Sequence, residues 1–358
     1  MRIKSFLAGL YIIDNNICWS YGEFLKVIGM SKVIRWGIIG CGDVSEVKSG
    51  PALQNTKNSK LVAVMRRSAD LAADYARRHN VPRWYSDAQQ LINDPDVDIV
   101  YIATPPAFHK EYVLMCVKAG KPVYVEKPMA LNFAEFVEMI ESCHATNISL
   151  FVAYYRRRLP KFVFIHDLIN KQFAIGNPRM VKITLYRQHE EKYHDADNLP
   201  WIVKPEISGG GIFMDLACHT LDILDFILGP ISSVNGHASS QLKSYAAEDS
   251  VSMSFRFENG VHGTGIWNFC SYTKFDEVEI IGDAGKICFS TFANSSIKLT
   301  NQTGEQSFPI ANPVQIQQPL IESIVEELNG NGLCPSSGVS AARTSWVMDQ
   351  VLASFYKK

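Results

Sequence analysis

The sequence has almost no net charge: 35 Lys and Arg stand against 36 Asp and Glu, a formal net charge of −1. It also has no long basic run, so nothing supplies the phosphate-neutralising surface that a nucleic-acid partner demands. Paired cysteines are missing too. Cys18, Cys41, Cys116, Cys143, Cys218, Cys270, Cys288 and Cys334 are scattered without a Cys-x-x-Cys spacing. That excludes the common zinc-ligand and dithiol motifs and predicts reduced, mostly buried thiols in a cytoplasmic protein. Apolar runs of bilayer length are absent. The stretch Phe6 to Ile13, behind Arg2 and Lys4, is far too short to span a membrane, and Asp14-Asn15-Asn16 follows it where a secretory signal carries small residues. No membrane partner is therefore expected.

What is present is the composition of a soluble globular enzyme: 358 residues, 47% hydrophobic and 20% charged, a length suited to two domains. The expected division is an N-terminal extension over 1–30, a nucleotide-binding domain over 31–152 and a second α/β domain over 153–358. Met30-Ser31-Lys32 stands immediately before the first strand, which makes Met30 the expected natural start and the preceding residues an extension outside the fold.

The chain is organised around Val33 to Ser45. An apolar strand ends at Ile39, Gly40-Cys41-Gly42 turns, and a helix is predicted to open near Asp43 and Val44, with its free N–H groups facing a phosphate. Gly40 and Gly42 supply two of the three glycines of a dinucleotide fingerprint; Ser45 takes the third position, small enough for the helix to pack on the strand and with a hydroxyl in reach of a phosphate. The second strand, Lys60 to Met65, is followed by Arg66-Arg67-Ser68. An acidic residue there binds the ribose hydroxyls of NAD, whereas guanidinium groups suit a 2′-phosphate, so NADP(H) is the preferred cofactor and NAD(H) the alternative.

Strands at Val97–Ala103, Pro122–Val125 and Ser149–Val152 alternate with helices at Lys110–Ala119 and Asn132–Thr146, the pattern of a doubly wound parallel sheet with ligands at the strand ends. Those ends carry Thr104, Pro105, His109, Glu126 and Lys127, which join Gly40, Gly42, Asp43, Val44, Arg66 and Arg67 as cofactor-binding candidates. Past Tyr154 the period changes to two, with turns at Asn259-Gly260 and Gly282-Asp283, and an antiparallel meander is expected from Met180 to Phe289. Helices over Phe162–Asn170 and Phe213–Leu228 are expected to cover one face. The other is expected to bury a second copy of the chain, giving a homodimer or homotetramer.

Glu126-Lys127-Pro128 after a strand, Gly209-Gly210-Gly211 leading through Asp215 to His219 and Asp222, and the N-terminal nucleotide unit together resemble the glucose–fructose oxidoreductase / inositol dehydrogenase / rhizopine catabolism (Gfo/Idh/MocA) family. The resemblance runs from about Val33 to the C-terminus. It implies a Rossmann domain followed by a large, mostly antiparallel open sheet, and NAD(P)-dependent oxidation or reduction of a sugar or cyclitol without a metal.

Hydride transfer to or from a carbinol carbon needs a proton partner for the oxygen. Lys127 is the expected electrostatic partner, with an ammonium pKa lowered by the cleft. Asp215, His219 and Asp222 share a helix face at spacings of four and three. The family motif makes His219 the acid/base and has Asp215 orient either substrate or imidazole. It also maps a substrate-binding Arg to Arg157, among arginines that otherwise read as surface charge, and puts Tyr155 where an amide residue is usual. Trp201, Lys204 and Tyr186 are pocket candidates, and Trp201 equally suits a core. Two other readings stand beside this one: a glycosidase or eliminase with a recycled nucleotide, and a non-catalytic nucleotide sensor.

Overall fold

Six segments, all but the third of them apolar, form the first sheet: β1 (Ile34–Ile39), β2 (Ser59–Met65), β3 (Arg83–Tyr85), β4 (Ile99–Ile102), β5 (Val123–Val125) and β6 (Leu150–Val152). All pair in parallel, in the order β3-β2-β1-β4-β5-β6. Such strands must bury both faces, and β4, β5 and β6 are buried at every residue. The crossovers are α1 (Gly50–Asn55), α2 (Ala69–Arg78), α3 (Ala88–Asn93), α4 (His109–Lys118) and α5 (Phe133–Ala145). The strand order reverses between β1 and β4, which opens a crevice at their carboxyl ends. β3 and α3 are not visible as periodic patterns; α3 is announced only by Asp87, whose carboxylate accepts the Gln90 N–H at 3.0 Å as an N-cap.

The computed structural model describes residues 31–356, and from Val33 onward the chain is one compact unit. The expectations for 1–30 and for Met30 lie outside the described residues. No described helix is long and apolar enough to cross a membrane.

After α6 (Pro160–Asn170) comes β7 (Pro178–Tyr186), then α7 (Ile212–Leu228) and β8 to β14 (Ile231–Ser239, Ser250–Phe257, His262–Asn268, Phe275–Gly282, Gly285–Phe289, Ile297–Asn301, Gly304–Phe308). The eight strands run β14-β13-β12-β11-β7-β10-β9-β8. This corrects the simple meander. β7 lies between β10 and β11, parallel to β10 and antiparallel to β11. Its buried Val181, Ile183 and Leu185 suit a central place, but a partner some 80 residues away leaves no local trace. β14 escapes pattern reading because its Gly-Glu-Gln-Ser-Phe sequence is exposed nearly throughout and has no apolar alternation.

Helices α7, α8 (Gln318–Leu328) and α9 (Gly338–Tyr356) complete the chain. Phe213 on α7 meets Trp267 of β10 edge-on at 5.2 Å, and α9 packs along β8. Among the described residues no helix packs on the opposite face of the sheet, which exposes Met180, Ile266 and Phe275, each at 46%.

Candidate active site

The crevice at the end of β1 is built from glycine geometry. Gly40 has φ +88°, and a Cβ there would stand 2.8 Å from Thr104 Cγ2. Only glycine satisfies both conditions. Gly42 has open space before it, and the Ser45 and Glu46 N–H groups bond its carbonyl as the helical turn begins at Asp43. Of its two expected roles Ser45 takes the packing one: it is fully buried, its carbonyl accepts the Tyr75 hydroxyl at 3.0 Å, and it is not among the residues lining the cleft. The position calls for a small side chain against the sheet, and serine meets that need.

A cleft of about 600 Å³ runs from this turn, lined by Gly40, Gly42, Asp43, Val44, Arg66, Arg67, Thr104, Pro105, Glu126, Lys127, Trp201 and Asp215. Arg66 and Arg67 are exposed at the β2 end and make no ion pair among the described residues; Arg67 lies over the Phe108 ring at 5.3 Å. Trp201 is 43% exposed at the cleft and is no core residue.

His109 is the cofactor candidate that the structure moves elsewhere. It is fully buried, with Nε2 2.7 Å from the Thr104 carbonyl and Nδ1 3.0 Å from that of Pro128, and it ties the loops after β4 and β5 together. Burial, the largest influence, lowers its pKa against the pull of those carbonyls.

Glu126 touches the cleft but is a support. Its Oε1 accepts the Tyr101 hydroxyl at 2.7 Å and Gln317 Nε2 at 2.9 Å. Gln317, 191 residues away, has no signal in the sequence.

Lys127 projects from the β5 end and donates from Nζ to Asp215 Oδ1 at 2.6 Å and to the Asp215 carbonyl at 3.1 Å. Burial alone pulls its pKa down, as expected from the sequence. The Asp215 carboxylate reverses that, and the net shift is upward. Lys127 is thus a fixed ammonium donor. Asp215, in the first turn of α7, grips Lys127; it has no hydrogen bond to the imidazole.

His219 follows one turn later, 5% exposed and edge-on to Tyr154, Tyr155 and Phe292 at 6.2, 5.6 and 6.1 Å. Its Nδ1 has no hydrogen-bond partner among the described residues. Burial, then the positive charges of Arg156, Lys127 and Lys48, push its pKa well below the ordinary histidine value. A neutral ring beside a fixed cation can take a proton that a bound carbinol presents.

Arg157 is corrected more sharply. It is 3% exposed, its Nε and Nη2 donate to Asp222 at 2.9 and 2.8 Å, and Nη2 also reaches Asp225 at 2.9 Å. Arg343 of α9 joins through Asp225 at 2.8 Å. This is a buried ion network outside the residues that line the cleft, and neither Arg157 nor Arg156 is surface charge. Tyr155, like His219, is buried and not among the residues lining the cleft; its ring lies 5.6 Å from His219 and its hydroxyl accepts from Arg156 at 2.7 Å. Tyr186 pairs with Phe275 across the sheet at 6.3 Å, and neither it nor Lys204 lines the cleft.

A parallel sheet with a glycine-cradled crevice, a lysine donor and a neutral histidine defines a dinucleotide-dependent oxidoreductase. The chain belongs to the Gfo/Idh/MocA family: "Oxidoreductase family, NAD-binding Rossmann fold" matches residues 34–154 and "GFO/IDH/MocA C-terminal domain" matches 165–288. It is similar to Oxidoreductase P35 of Formosa agariphila, 39% identical over 89% of this chain and 98% of that protein. Trans-1,2-dihydrobenzene-1,2-diol dehydrogenase of Mus musculus is 30% identical over 64% of this chain and 67% of its own. In fold it resembles a levoglucosan dehydrogenase solved with NADH and levoglucosan, at TM-score 0.80 and 22% identity over 90% of this chain and 97% of that one.

Proposed function

We propose that the chain transfers hydride between NADP(H) and a secondary alcohol or ketone of a sugar or cyclitol. The observation that carries this reading is the meeting of Lys127 and Asp215 in the nucleotide crevice, with His219 one helical turn on. The crevice suits the cofactor: a Cβ would fill the Gly40 turn, and Gly42 leaves its backbone open to a pyrophosphate. When bound, a nicotinamide supplies or accepts the hydride. Lys127 donates to the reacting oxygen, Asp215 keeps Lys127 charged and aimed, and His219 takes the carbinol proton in oxidation and returns it in reduction. The relative that binds levoglucosan, a sugar anhydride, supports a sugar-like substrate. A cofactor-absorbance screen over sugars, cyclitols and ketoses tests the reading; protein that binds NADPH but turns over none of them would favour a sensor.

Arg66, Arg67 and Ser68 support the NADP(H) preference, since no described carboxylate pairs with either guanidinium. Arg66→Asp is expected to weaken NADPH by about 2 kcal/mol, because a repulsion replaces a charge-assisted hydrogen bond, with NADH nearly unaffected. Fluorescence titration with both cofactors checks this, and an equal weakening of both would refute the assignment.

The uncovered sheet face is the proposed assembly surface, a homodimer or homotetramer through Met180, Ile266 and Phe275. Light scattering is expected to show the oligomer at micromolar concentration and its dissociation in Ile266→Lys. A wild-type monomer with full activity would count against it.

A further inference from the structure

We propose that the substrate is an anion, a sugar or polyol bearing a carboxylate or a sulfate ester, and that Arg156 selects it. This rests on the dehydrogenase reading above. Arg156 is 9% exposed on the turn after β6, and its guanidinium lies 4.9 Å from the ring centroids of both Tyr155 and Phe292. The same two rings are the edge-on neighbours of His219. Guanidinium and imidazole therefore share one aromatic wall.

Its partners are neutral. Nε donates to the Thr291 carbonyl at 3.2 Å and Nη1 to the Tyr155 hydroxyl at 2.7 Å, while Nη2 has no partner among the described residues. The adjacent Arg157 shows what the fold does with a structural arginine: it gives it two carboxylates. No described carboxylate hydrogen-bonds to this buried guanidinium, and a substrate oxyanion supplies that partner on binding.

The neighbouring charges point the same way. Arg187 lies 5.3 Å from the Phe292 ring and makes no ion pair with a described carboxylate. Lys48 adds positive potential at His219. Two carboxylates close to these groups are already engaged, Asp215 by Lys127 and Asp276 by the Ser290 hydroxyl and the N–H groups of Thr291, Phe292 and Ala293. Asp276 thereby shapes the loop that presents Phe292. A planar guanidinium edge suits an oxyanion bidentately, which sets the carbinol of the same molecule toward His219 and Lys127.

The test uses the purified protein with NADP+ and a panel of aldoses, each paired with its uronate and its 6-sulfate. At least one acid is expected to exceed its neutral partner in kcat/KM by roughly a hundredfold, the scale of a desolvated charge-assisted hydrogen bond. Arg156→Gln should shrink that ratio below about tenfold, while NADPH titration of the variant confirms an intact fold. The uronate and sulfate arms distinguish the two anions. Calorimetry of D-glucuronate and of glucose 6-sulfate with the protein–NADPH complex gives a readout independent of turnover, with binding expected to weaken with salt and with Arg156→Gln. Neutral sugars turned over as well as their acids would overturn the anion proposal and leave the dehydrogenase reading standing. Anion binding with no turnover across the panel would keep the site and sink the redox reading. Neither binding nor turnover would sink both.

Discussion

Replacing Lys127 by Met is expected to lower kcat by roughly a hundredfold or more while leaving cofactor affinity almost unchanged. Nζ is held in the cleft by two oxygens of Asp215 and makes no hydrogen bond to the Gly40 turn, so its removal takes away a donor to the reacting oxygen and little nucleotide binding. His219→Ala should lower kcat by a similar factor, the usual size of an acid/base contribution. Because both groups act on one transition state, the double variant should be barely worse than either single one. The pH profile supplies a second check. A group with a lowered pKa is in its base form at every pH above that value, so the acid limb from His219 should lie well below 6.5. Asp215→Asn removes the main charge that raises Lys127, leaving burial opposed only by Cys218 and Glu126. A new basic limb, from a Lys127 that now deprotonates below its ordinary value, is the expected result. Full activity in His219→Ala, or an unchanged profile in Asp215→Asn, would remove those residues from their roles.

Arg157→Ala should unfold much of the protein under conditions where the parent is stable. Deleting one partner of a fully buried pair strands the other, and here Asp222 is left without its only described guanidinium while Asp225 keeps Arg343. The expected cost is about 3–5 kcal/mol, a large part of the roughly 5–15 kcal/mol that a domain has in total. Urea unfolding followed by circular dichroism measures it. Partial recovery in Arg157→Met with Asp222→Asn is expected, because the second change removes the stranded charge. A destabilisation under about 1 kcal/mol together with a raised KM would instead restore Arg157 to the substrate.

Much of the molecule is readable because it is written locally. The strands β1, β2, β4, β5 and β6 are short apolar runs between turn signals, and the Gly40 turn announces its own function through a backbone angle that other residues avoid. The Asp215 and His219 spacing follows from helical geometry alone. Residue type at the β2 end likewise proposes the cofactor without reference to anything distant.

The sequence by itself thus determined the parallel sheet, the nucleotide turn and the presence of a lysine, an aspartate and a histidine suited to proton handling. Only the tertiary structure decided what the charged residues are for. Arg156 and Arg157 are adjacent and of one type, yet the turn they share aims one at Tyr155 and Phe292 and the other at carboxylates 65 and 68 positions away. The sign of the Lys127 shift hung on an aspartate 88 positions distant, and the support of Glu126 on a glutamine 191 away. Periodicity reports which face a residue occupies, but charge and hydrogen bonding act through space at a few ångströms, and the partners at that distance come from folds of the chain that no local window contains.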